Sequence, residues 1–204
     1  MAAIRTPKVR NPELGEVVKQ QSCTFLNWAP AAAAANYFKT QTALAAQATT
    51  LLAASMTRAY AIDVPVVPVI VVTNSGVAVA WTSVTGIVVG IDQFGYKISE
   101  TIAAVDSGGG VWTLTAANAY ATLISVSFTV AGGTAVDGND SYVIGYGKTY
   151  GLGVNIGASG DVLIHNFNGA TEAGTVSVAN NTYVFAGTPD AARIASLYVR
   201  SSAY

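Results

Sequence analysis

His165 is the only imidazole in the chain and Cys23 the only thiol, so a nucleophilic relay or a metal centre would have very few groups to draw on. A zinc or copper site needs several imidazole or thiolate ligands converging on one point. His165 stands between Ile164 and Asn166 in a strand-like run with no second ligand near it in sequence. It reads as a structural or surface histidine, and a jelly-roll metalloenzyme, which needs a histidine cluster, is excluded. A single cysteine makes no internal disulfide, and Cys23 reads as a bystander thiol. Gly147-Lys148-Thr149 looks like the end of a phosphate-binding loop. That motif needs a glycine five residues earlier, where Tyr142 stands, and Gly151 and Gly153 break any helix that should follow. Asp137, Asn139 and Asp140 offer oxygens to a calcium ion but lack the twelve-residue loop and its closing glutamate, so they read as a turn. Ser107 and Ser141 have no base at a recognisable spacing. The expectation is therefore no catalytic residue, no cofactor and no metal ligand, in a protein that is not an enzyme.

The composition says what such a chain does instead. Charged residues make up 10% of 204 positions and mean hydropathy is +0.43, against roughly 25% charged in an ordinary domain. With so little charge to cover its own surface, the chain is expected to have part of that surface covered by something else. No run reaches the roughly 18 apolar residues of a spanning helix; the densest, Val64 to Val72, is broken by Pro65 and Pro68. An outer-membrane β-barrel, whose strands alternate weakly and carry little charge, is harder to exclude, but Met1 to Pro12 is basic and polar, unlike a signal peptide. A membrane is therefore not expected, and neighbouring protein subunits remain as the cover. A net charge of −1 gives no global attraction to nucleic acid. Trp28, Trp81, Trp112 and the ten tyrosines would line a sugar site if they shared an open face, and otherwise fill a core or anchor an interface.

Three segments follow from the pattern. Residues 1–22 read as an extended basic arm. Arg5, Lys8, Arg10 and Lys19 face only Glu13 and Glu16, and Pro7, Pro12 and Gly15 interrupt helix and strand alike. Residues 23–60 are rich in alanine and threonine. Alanine favours helix, while Thr40, Thr42, Thr49, Thr50 and Thr57 recur and Tyr37, Thr40 and Thr42 suit a pleated strand equally well; the reading stays open between the two, with short strands preferred partly on the resemblance given below. Residues 61–204 show strand after strand, with turns at Asp92–Gly95, Gly108–Gly110, Asp137–Asn139 and Asn168-Gly169. The sequence predicts a mainly β chain, an antiparallel β-sandwich or jelly-roll-like domain with an extended N-terminal arm. It also predicts a hairpin from Val84–Ile91 to Tyr96–Val105, and a second in which Val162–Phe167 turns at Asn168-Gly169 and returns as Thr175–Val178.

The succession Asp63-Val64-Pro65, Thr85-Gly86, Gly90-Ile91-Asp92-Gln93-Phe94-Gly95 and Ile98-Ser99-Glu100-Thr101-Ile102 resembles the β-rich virion proteins of tailed bacteriophages. Gly145-Tyr146-Gly147-Lys148-Thr149-Tyr150-Gly151-Leu152, Ala173-Gly174-Thr175-Val176 and Thr188-Pro189-Asp190 continue the likeness over residues 61–200. The resemblance implies a non-enzymatic capsid decoration, or cement, protein on the outer capsid surface of a virion. Its partners would be the major capsid protein and itself, as a homotrimer, and it would touch neither nucleic acid nor membrane. It further implies that the arm's Arg5, Lys8, Arg10 and Lys19 contact the shell. A tail or baseplate protein and a glycan-binding module are the alternatives.

Overall fold

The computed structural model describes residues 23–59, 64–74, 81–106, 108–132, 136 and 139–201. The arm residues Arg5, Lys8, Arg10 and Lys19 lie outside them, as do Ser107 and Asp137. The chain is mainly antiparallel β, as the sequence predicts. Its strands in order are β1 (Cys23–Trp28), β2 (Ala34–Ala43), β3 (Ala48–Leu52), β4 (Val66–Thr73), β5 (Ser83–Asp92), β6 (Lys97–Ala103), β7 (Val105–Asp106) and β8 (Val111–Thr115). Then come β9 (Tyr120–Ala131), β10 (Ser141–Gly151), β11 (Val162–Phe167), β12 (Ala170–Thr171), β13 (Thr175–Ser177), β14 (Thr182–Val184) and β15 (Ala195–Arg200). They belong to two compact units, one of residues 32–151 and one that joins 23–31 to 152–201. The sequence pattern draws its boundaries at 22 and 60 instead.

The alanine-rich stretch forms β1, β2 and β3, with one short 3-10 turn at Ala53–Ser55. Helix propensity is a weak prior that tertiary pairing overrides. Here β2 pairs with β10 and β3 with β9, and Phe38 and Leu51 are buried in the resulting core.

In the larger unit β4 lies between β10 and β8, while β9 lies between β5 and β3. Pro68 is tolerated inside β4 because the β8 ladder stops at Val69 and the missing N–H falls where the partner changes. The β5–β6 hairpin forms as expected, from Thr85 opposite Ala103 to Ile91 opposite Lys97. Its turn is fixed by the Asp92 carboxylate, which accepts the N–H groups of Phe94 and Tyr96 at 2.8 Å.

Strand β9 departs from simple alternation. Ser125 faces Val89, Leu123 faces Gly90 and Tyr120 faces Asp92, so Ile124 and Ala121 are extra residues in two bulges. Each bulge resets the period, and Tyr120, Leu123, Val126, Phe128 and Val130 all become buried. A strict period of two would put Leu123 on the face away from Val126 and Phe128, and the bulge at Ile124 brings it into the core with them.

The smaller unit holds a four-stranded sheet in the order β1-β15-β11-β12 and the hairpin β13–β14. Asn168 (φ 55°) and Gly169 (φ 79°) make the tight turn the Asn-Gly pair predicts. The returning strand is Ala170–Thr171, whereas Thr175–Ser177 pairs with Thr182–Val184. The expected return was misplaced because a two-residue strand has no periodicity to read. Phe167, Tyr183 and Phe185 pack ring against ring beneath the sheet, with centroids 4.9 and 5.4 Å apart.

Candidate functional site

Of the residues whose chemistry the sequence singles out, His165, Gly147–Thr149 and Ser141 are engaged in the fold, while Cys23 is an exposed thiol. His165 Nδ1 lies 3.0 Å from the Tyr183 hydroxyl and Nε2 lies 2.9 Å from the Val162 carbonyl, so both ring nitrogens are taken. Gly147-Lys148-Thr149 sits within β10, where that strand bulges against β4 between Tyr146 and Tyr150. It is no phosphate-binding loop before a helix. Ser141 accepts a hydrogen bond from Gln41 Nε2. Among the described residues no three His, Cys, Asp or Glu side chains gather as a metal site would require.

The acidic side chains instead hold loops. Glu100 on β6 accepts the N–H groups of Ala117 and Asn118 and the Asn118 side-chain amide, tying down the link between β8 and β9. Glu172 accepts the N–H groups of Ala186 and Gly187. Asp190 accepts those of Ala192 and Arg193, which hold its carboxyl below the ordinary carboxylate range. Asp161 is the most constrained. Arg200 donates to it through Nε and Nη2 at 2.8 Å, Gly157 and Ala158 donate backbone N–H groups, and its pKa is lowered chiefly by Arg200. Charge-assisted bonds of this kind satisfy chain reversals where few charges are available.

One stretch of open sheet face is left without charge. In the larger unit the ladders β3–β9–β5–β6 align three rows on one face. The first is Ala48, Thr129, Thr85 and Ala103; the second Thr50, Ser127, Ile87 and Thr101; the third Leu52, Ser125, Val89 and Ser99. These positions are exposed or half-buried, and none is charged. At about 3.3 Å per residue and 4.8 Å between strands the face covers about 350 Å².

In the smaller unit Phe25, Tyr198 and Ile164 stand abreast on β1, β15 and β11 and remain 46%, 41% and 50% exposed. The rings of Phe25 and Tyr198 stack with centroids 4.6 Å apart. Leu163, 50% exposed, is the bulged residue between the paired Val162 and Ile164.

The sequence shows the single-strand part of these faces, since Thr85, Ile87 and Val89 alternate with buried Val84 and Val88. Which strands lie side by side depends on long-range ladders and has no local signal. The tryptophans do not form an open face: Trp81 and Trp112 are buried and Trp28 is half-buried. No protein-family model matches the chain, and no curated protein or solved structure gives a significant match.

Proposed function

We propose that the chain is a non-enzymatic structural protein of a tailed-phage particle. It decorates the outer capsid surface and stabilises the shell by bridging neighbouring subunits of the major capsid protein. The observation that carries this reading is the uncharged three-row face of the larger unit. A surface of Thr, Ser, Ala and Val with Leu52 and Ile87 packs closely on a neighbour without burying an unpaired charge, which would be costly. Its area is under half of the roughly 800 Å² that each partner buries in a standard interface. One such face binds weakly, so the reading needs a second contact, supplied by the basic arm, and many copies. A glycan-binding module, the second reading, would use the exposed Phe25 and Tyr198 rings, whose centroids lie 4.6 Å apart on the smaller unit, rather than the tryptophans.

The test is co-sedimentation of the purified chain with DNA-free heads of its particle and, in parallel, with isolated tails. Binding to heads that raises their thermal disruption temperature is the expected result. Binding to tails alone would replace the capsid address by a tail one, and binding to neither would overturn the reading.

A further inference from the structure

Among the described residues, strand β1 is an edge of the four-stranded sheet and pairs only with β15, over six residues from Cys23 opposite Arg200 to Trp28 opposite Ala195 with no register shift. Exposed edges are normally blunted by charge, proline, a bulge or shortness. Cys23–Trp28 has no charge, no proline and no bulge, whereas β12 at the opposite edge is two residues long. We propose that β1 pairs antiparallel with β1 of a second copy about a two-fold axis through Phe25, so that the four-stranded sheets of two molecules become continuous.

The geometry favours a second copy in this register. Opposed residues in an antiparallel pair share a face, so Phe25 beside its own counterpart extends the outward row to Ile164, Tyr198, Phe25 and the same three residues reversed. The strip carries no charge, so like meets like without repulsion. Residues 1–22, which enter β1 at Cys23, are net positive through Arg5, Lys8, Arg10 and Lys19 against Glu13 and Glu16. Antiparallel pairing sets the two Cys23 ends, where these like-charged segments begin, about 14 Å apart, whereas parallel pairing would set them side by side. The contact strip, residues 23–27 of each copy, is about 17 Å long and smaller than a standard interface, so the dimer is concentration-dependent. This contact is independent of the virion reading and uses the other unit's surface.

The experiment is sedimentation equilibrium of the full chain up to about 1 mM, where weak pairing is populated. Wild type is expected to move from monomer to dimer. Phe25→Lys and Phe25→Glu, each folded by circular dichroism, should weaken pairing by about tenfold or more through like charges at the axis. An equimolar mixture of the two should dimerise again. In the same register Cys23 faces Asn27 of the second copy, so Asn27→Cys should give a disulfide-linked dimer on mild oxidation that wild type does not give. A wild type that stays monomeric, an oligomer that survives both Phe25 variants, or an Asn27→Cys protein that fails to cross-link would overturn the proposal. Head binding by a protein that remains monomeric would overturn this contact alone.

Discussion

Asp161 is nearly buried and accepts from Arg200 and two backbone N–H groups. Its carboxyl is therefore held below the ordinary value, with Arg200 the first cause. The unfolded chain takes up a proton at about pH 4, where the folded chain does not, so stability falls as pH drops below that point. Asp161→Asn should lower stability at neutral pH and flatten the acid limb of a urea-midpoint profile; an unchanged acid limb would show that Asp161 does not drive it. Tyr183 behaves in the opposite sense. Burial, more than the neighbouring Glu172, pushes its phenol up to about 12, so the unfolded chain loses that proton first and stability declines as pH rises above about 10. The same hydroxyl serves His165 Nδ1. Tyr183→Phe leaves that nitrogen without its partner and should cost about 1–2 kcal/mol in urea denaturation at pH 7, with an unchanged m value.

At the scale of the element, glycine marks where strands approach too closely for a side chain. A Cβ at Gly90 would fall on the Thr122 carbonyl and the Tyr120 ring, beside the bulge at Ala121. Gly90→Ala should therefore cost about 1–3 kcal/mol. Gly147→Ala, at a position where a Cβ meets nothing within 4 Å, should stay within about 0.5 kcal/mol. Urea midpoints of the two variants check the contrast, and equal effects would mean that Gly90 is not held by that contact. The same region shows why the sequence is only partly legible. The β5–β6 hairpin could be read because Asp92 and Gly95 carry their own turn chemistry. The two bulges of β9 could not, since a period of two assumes an unbroken ladder and nothing in Ala121 or Ile124 announces an extra residue. The alanine-rich strands stayed ambiguous for a related reason: their partners β9 and β10 lie more than 70 residues downstream. Local propensity carries no information about them.

At the scale of the whole molecule, Asp92, Asp161, Glu172 and Asp190 hold chain reversals among the described residues, and the three rows across β3, β9, β5 and β6 carry no charge. The sequence made the scarcity legible through its 10% charged residues, but not the three neutral rows, which exist only once β3, β9, β5 and β6 are side by side. A neutral face of about 350 Å² gives shape and little long-range attraction, so on the proposed reading tight attachment would need the electrostatic contribution of Arg5, Lys8, Arg10 and Lys19. Those four lie outside the described residues. Deleting residues 1–20 removes them and leaves every described strand intact. The truncated chain should keep its circular-dichroism spectrum and its self-association while binding heads at least about tenfold more weakly, and the full chain's affinity should fall more steeply with salt. Both follow from sedimentation with heads at 50 and 300 mM salt. If the truncated chain binds as tightly as the full one, the neutral face is sufficient and the arm has no part in attachment.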